Sequence, residues 1–244
     1  MASISRRALL GGVSAICPAV MFGYDLQTAG LEHIGMIVPD VEEAARFYSR
    51  VFNPDIQKEN DLPLRYYVTT GSGYIAIGSG ATESRIDHFG TLVRGYDRER
   101  VVSDPDGVGL QLIALPGGSG PTAVACGRLV DEAPLVKPMG FDSIVLNVAN
   151  VRRSADFYSQ FFNSVHADER GQVAFEAADT RIVLRATAPG ESPGVDRFVM
   201  RVETFRWLEV LNGVASLGAT PEDGWAGVVR FRDPNGLRVE LRSV

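Results

Sequence analysis

The chain has 244 residues, 45% hydrophobic and 22% charged, a globular balance with room for one large domain or two small ones. Its formal net charge is −6 with no basic tract, which excludes a nucleic-acid footprint. No apolar run approaches the roughly 18 residues that a membrane-spanning helix needs.

The first 30 residues read as a signal segment and lead-in. Met1 to Ala19, MASISRRALLGGVSAICPA, sets Arg6 and Arg7 ahead of a short apolar run, with the small residues Cys17 and Ala19 before a cleavage point. The stretch from Ser5 to Leu10 is similar to the bacterial twin-arginine export signal. Gly11-Gly12 and Pro18 oppose a stable helix there. The expected location is periplasmic or secreted, with no membrane attachment once the signal is removed. Removal would take Arg6, Arg7 and Cys17 with it, leaving Cys126 alone and no disulfide framework. The bulky Ile16 before Cys17 argues against a lipoprotein.

Residues 31–38 are apolar and β-branched, short enough for a strand. Asp40 stands as an N-cap with Glu43 at capping-box spacing. Val41, Ala44, Ala45, Tyr48, Val51 and Phe52 then follow the i, i+3, i+4, i+7 pattern of a helix with one buried face, stopping near Asn53. Short strands are expected over 56–58, 65–69 and 74–77, the last two joined by a turn at Gly71-Ser72-Gly73. Residues 87–93, DHFGTLV, open a second half-unit. The turn Asp104-Pro105-Asp106-Gly107 and a strand over 110–114 close it. Residues 116–140, rich in glycine and proline, read as a linker between a first domain, 31–115, and a second, 141–244.

The second domain repeats the plan. Adding 110 to each number of LEHIGMIVPDVEEAARFYSRVFN, 31–53, gives FDSIVLNVANVRRSADFYSQFFN, 141–163. Ile34, Val38, Ala45, Phe47, Tyr48 and Phe52 meet Ile144, Val148, Ala155, Phe157, Tyr158 and Phe162. A single duplication points to a domain pair rather than a solenoid. Asn150 caps a helix that buries Val151, Ala155, Tyr158, Phe161 and Phe162. His166 falls in a loop-like stretch and is expected to be solvated. Strands are expected over 173–176, 181–185 and 196–202, a helix over 204–217, then Asp233-Pro234-Asn235-Gly236 and a strand over 237–241. The step from Asp196 to Asp233 is 37 residues, but the matching step from Asp87 to Asp104 is 17. The first domain therefore lacks the residues for a helix and the strand after it, and should present an open edge.

Paired βαβββ units, His33 two residues into the first strand, the Asp87-His88-Phe89 strand and the Asp104-Pro105-Asp106-Gly107 turn together resemble the vicinal oxygen chelate superfamily. That group includes glyoxalases, extradiol-type dioxygenases, fosfomycin resistance enzymes and bleomycin resistance proteins. The resemblance covers 31–115 and 141–244. It implies an α+β fold of tandem paired βαβββ modules forming two cupped mixed sheets, the first domain missing one helix and strand. It also implies a metal held in a cup from the first, fifth and last strands. The first domain offers His33, His88 and Gln111 at those positions; the second offers Ser143, Arg197 and Glu240.

This chain has three histidines, and two of them fall at those matching positions. Two imidazoles plus a carboxylate suit Fe(II) or a similar ion. Gln111 replaces the usual carboxylate and should weaken the hold on a divalent ion, whether Fe, Mn, Zn or Ni. The plain alternative is two half-buried strand histidines satisfied by hydrogen bonds, with Gln111 lining a cup. Arg197 and Glu240 read best as an internal ion pair, leaving the second domain a structural partner or a pocket for an anionic group. The helical aromatics Phe47, Tyr48, Phe157 and Tyr158 read as core. Tyr67, with Arg197 and Glu240, is a candidate for contact with a small organic ligand. One functional reading is a metal-dependent enzyme, dioxygenase-like or a glyoxalase-like lyase or isomerase. The other is a metal-free, bleomycin-resistance-like binding protein, or an inactive relic. The expected partner is a small molecule, and homodimer formation stays open.

Overall fold

The computed structural model describes residues 28–59, 64–80, 82–95, 100–115, 125–167 and 171–244. Of the signal segment and lead-in read at 1–30, residues 1–27 lie outside the described residues. No described helix is long and apolar enough to cross a membrane.

The first sheet draws on β1 (Thr28–Val38), β2 (Asp55–Lys58), β3 (Arg65–Thr70), β4 (Gly73–Ser79), β5 (Arg85–Arg94), β6 (Arg100–Ser103), β7 (Gly109–Leu115) and β8 (Ala125–Arg128). Their order across the sheet is β6-β7-β5-β1-β4-β3-β2-β8. The second sheet draws on β9 (Pro138–Val148), β10 (Asn163–Ala167), β11 (Val173–Ala177), β12 (Thr180–Ala186), β13 (Gly194–Val202), β14 (Thr220–Trp225), β15 (Val228–Arg232) and β16 (Arg238–Ser243). Its order is β10-β11-β12-β9-β13-β16-β15-β14. In both, the central strand pairs parallel on one side, β1 with β4 and β9 with β12, and antiparallel on the other, β1 with β5 and β9 with β13. These are the two mixed sheets of tandem βαβββ modules.

Two helices sit at matching places. Helix α1 (Val41–Val51) begins at Asp40, whose side chain accepts from the Glu43 amide at 2.9 Å, and carries Glu42 and Glu43 in its first turn. Helix α2 (Val151–Tyr158) begins at Asn150, which accepts from the Arg153 amide at 3.0 Å. Helix α3 (Trp207–Ser216) and β14 have no counterpart among the described residues of the first sheet, which therefore ends on the four-residue β6. This is the segment that the short step between Asp87 and Asp104 had removed.

The sequence reading does not place β6, β14 or β15, and it assigns two further strands otherwise. Residues 125–128, assigned to the linker, form β8 and pair with the edge of β2. The stretch holding His166, read as a loop, is strand β10, paired with β11. In both places a neighbouring edge supplies backbone partners that the local sequence does not advertise.

The core is shared. Helix α1 faces the second sheet through Phe47 against Phe231 (6.2 Å between ring centroids) and Tyr48 against Phe198 (6.3 Å). Helix α2 faces the first through Tyr158 against Phe89 (6.4 Å). The apolar faces of β1 and β9, with Ile34, Met36, Ile144 and Leu146 all buried, close on these helices. The opposite face of each sheet is left to carry polar chemistry.

Candidate functional site

A β-bulge precedes four of the candidate positions, His33, His88, Ser143 and Arg197. Leu31 pairs with Thr91 and His33 with Gly90, so Glu32 is the extra residue on β1. Gly35 pairs with His88 and Met36 with Ile86, so Asp87 is the extra residue on β5. The second sheet repeats both irregularities, at Asp142 on β9 and Asp196 on β13. A bulge re-aims the side chain next to it. Each bulged acid turns onto the residue that follows. Glu32 Oε2 lies 3.0 Å from His33 Nδ1, and Asp87 Oδ1 lies 2.9 Å from His88 Nδ1. Asp142 Oδ2 accepts from Ser143 Oγ at 3.0 Å, and Asp196 Oδ2 from Arg197 at 2.6 Å. In the sequence an acid stands directly before each of these four positions, but only the register turns it onto its neighbour.

The two imidazoles of the first sheet are neighbours, with ring centroids 5.3 Å apart at an interplanar angle of 76°. Each sits over a glycine of the adjoining strand. A Cβ on Gly35 would collide with the His88 ring, and one on Gly90 with the His33 ring. His33 is 3% exposed and stacks on Tyr74 at 4.8 Å, while Tyr74 donates to Glu32 Oε2 at 3.3 Å. Gln111 of β7 pairs in register with Gly90, as His33 does from the other side, so the three residues form one row across the sheet.

A carboxylate can only accept. A neutral imidazole bonded to it must therefore donate from Nδ1 and keep its lone pair on Nε2. This is the usual second-layer arrangement behind a metal-bound histidine. Among the described residues no group of three or more His, Cys, Asp or Glu is placed to hold a metal ion. With His88 beside this row, across from Gly35, the donors are two imidazoles and one neutral carboxamide, a set that fits a divalent ion held with less protein charge than two histidines and a carboxylate would give.

The residues proposed to touch a ligand do not converge. Tyr67 is on β3 of the first sheet, buried, against Tyr74 at 5.7 Å. Burial and its hydrogen bond to Glu59 push its hydroxyl up to about 12, so it is a neutral donor at ordinary pH. Arg197 and Glu240 belong to the second sheet. They pair, as the sequence reading expects, with Arg197 Nε 3.2 Å from Glu240 Oε2. Glu240 is fully buried and also takes Arg230 at 2.7 Å and Arg242 at 2.6 Å. Burial alone would raise its pKa, but the hydrogen bond from Arg230 and the charge of Arg242 hold it below the usual carboxylate value. In the second sheet Arg197 follows its bulge as His88 does in the first, and this cup is filled by ion pairs.

Two mixed sheets of βαβββ modules, with paired side chains presented by bulges on their polar faces, define a tandem chelate-type fold. Residues 30–95 match the family model described as Glyoxalase/Bleomycin resistance protein/Dioxygenase superfamily. Over those residues the chain is similar to that superfamily. No curated protein sequence matches the chain. Among solved structures it is similar to the 2,3-dioxygenase LapB from Pseudomonas sp. KL28, at 16% identity and TM-score 0.66, covering 90% of this chain and 93% of that one. It is similar to the Mn(II)-bound glyoxalase from Novosphingobium aromaticivorans, at 15% identity and TM-score 0.63, covering 89% and 83%. A catechol 2,3-dioxygenase gives 15% identity and TM-score 0.65, covering 89% and 88%. At these identities the likeness is one of fold.

Proposed function

We propose that the protein is a divalent-metal-dependent enzyme acting on a small oxygen-rich organic substrate, by dioxygenase-like or by lyase/isomerase-like chemistry. The observation that carries this reading is the His33–His88 pair, with both Nδ1 atoms tied to carboxylates by successive bulges. His33, His88 and Gln111 would hold the ion. When bound, it would supply Lewis-acid polarisation of adjacent substrate oxygens. Glu32 and Asp87 fix the two imidazoles, and Gly35 and Gly90 leave room for the rings. Tyr74, stacked on His33, walls the cup on one side. The structural likeness to dioxygenases and to a manganese glyoxalase supports the reading. The twin-arginine-like segment at Arg6 and Arg7 suits export of a folded, metal-loaded protein to the periplasm.

A turnover screen tests it. Protein loaded with Fe(II) or Mn(II) is offered catechols and α-keto compounds. Turnover that disappears in both His33→Ala and His88→Ala is the expected result; turnover that persists in both overturns the assignment. One observation favours a second reading, a metal-free binding protein: the third position holds Gln111 rather than an acid. Under that reading a small organic molecule binds the metal-free wild type, and His33→Ala removes the binding.

A further inference from the structure

The polar face of the second sheet holds a cavity of about 440 Å³ that the metal reading does not use. Arg185, Arg197, Arg230 and Arg238 line it. Two carboxylates lie beneath them. Glu240 is bonded to Arg197, Arg230 and Arg242. Asp196, its side chain 2% exposed, meets Arg185 at 3.1 Å, Arg197 at 2.6 Å and Arg238 at 2.6 Å. The four lining guanidinium groups thus rest on two buried acids, with Arg242 behind them also meeting Asp142 at 3.4 Å, so the floor itself carries an excess of positive charge.

The charges that offset this floor are on the rim. Glu191 reaches Arg185 at 3.1 Å, Glu222 reaches Arg238 at 3.1 Å, and Asp223 reaches Arg230 at 3.2 Å. Their side chains are 30%, 29% and 51% exposed. Exposed ion pairs hold weakly and are screened by salt, so a ligand displaces this rim, Asp223 first as its most exposed member, more readily than the buried Glu240 and Asp196.

We propose that this cavity binds a small oxyanion-bearing molecule, a carboxylate or a phosphate, whose oxygens take the guanidinium edges now shared with Glu191, Glu222 and Asp223. Planar arginine forks match such oxygens two at a time. The site shares no residue with His33, His88 and Gln111, so it stands whether or not a metal binds there.

Isothermal titration of the full chain with inorganic phosphate, with succinate and with the uncharged 1,4-butanediol tests it. At least one oxyanion is expected to bind at millimolar concentration or below, more weakly as salt rises, while the diol does not. Binding by phosphate or by succinate identifies which oxyanion the site takes. Arg230→Gln should abolish the binding. Should that variant fail to fold, Asp223→Asn at the exposed rim carries the test, because removing a competing carboxylate should tighten binding by about fivefold. No binding of either oxyanion, equal binding of the diol, or an Asp223→Asn affinity at or below wild type would overturn the proposal.

Discussion

The hydroxyl of Tyr48, on the helix of the first module, donates to Asp233 Oδ2 in the last turn of the second sheet at 2.8 Å. Tyr158 returns the contact to Asp104 Oδ2 in the matching turn of the first sheet at 2.9 Å. Each aspartate also organises its own turn through the other carboxylate oxygen. Asp104 Oδ1 accepts from the amides of Asp106 and Val108 at 2.9 and 2.8 Å, and Asp233 Oδ1 from those of Asn235 and Leu237 at 2.9 and 2.7 Å. Gly107 and Gly236 close these turns at φ +93° and +81°, which favours glycine there. The duplication is thus cross-latched, each helix bonded to the other half's turn.

Removing one latch should cost the hydrogen bond while keeping the ring. Tyr48→Phe and Tyr158→Phe are each expected to destabilise the fold by about 1.5–3 kcal/mol, the range for a buried bond to a charged acceptor. Urea denaturation of the two variants checks this. A loss of only a few tenths in either would show that latch to be ornamental.

The buried arginine network predicts a pH dependence. The pKa of Glu240 is held below its ordinary 4.5, so its contribution is present above that pH and lost as pH falls through its folded value. Asp233 works in the opposite sense. Burial raises it above 3.8, so its contribution is present below that pH and lost as pH rises through its folded value. Glu240→Gln removes only the first effect. The variant should be less stable than wild type by roughly 3–5 kcal/mol at neutral pH, the cost of breaking a buried pair. The gap should narrow as pH falls below 4.5 through the folded value of Glu240. Denaturation curves across the acid range measure it; a gap independent of pH would contradict the network.

Glu32 should act on His33 rather than on the fold. In metal-free Glu32→Gln, the Nδ1–H tautomer of His33 is expected to lose its dominance in imidazole ¹⁵N NMR, and metal affinity should fall about 10–100-fold, as for other second-layer partners of metal-bound histidine. An unchanged tautomer would remove Glu32 from its positioning role.

Gln111 limits the charge of the row it shares with His33. Gln111→Glu would complete two imidazoles and a carboxylate. Tighter binding of Fe(II) or Mn(II) by competition with a chelator is the expected outcome. Equal or weaker binding would place Gln111 outside the ligand set.

Much of this was legible in the sequence. The helix at α1 shows through its apolar spacing and the Asp40–Glu43 cap, the second module through its constant offset, and the missing helix and strand through the short step from Asp87 to Asp104. His33 and His88 fall side by side, as the matched positions imply. The bulges were not legible. Strict alternation puts Glu32 on the face opposite His33 and Asp87 opposite His88. Cross-strand register, which the local pattern does not encode, brings each acid back to its neighbour. Strand β8 was hidden for a related reason. Ala125-Cys126-Gly127-Arg128 carries no alternation, and the open edge of β2 recruits it.

Elemental metal analysis of protein purified without chelators, wild type beside His88→Ala, tests the central claim most directly. The account predicts near-stoichiometric iron, manganese, zinc or nickel in the wild type and its loss in the variant. A folded wild type carrying no metal, or a variant that keeps it, would contradict a chelate site at His33 and His88.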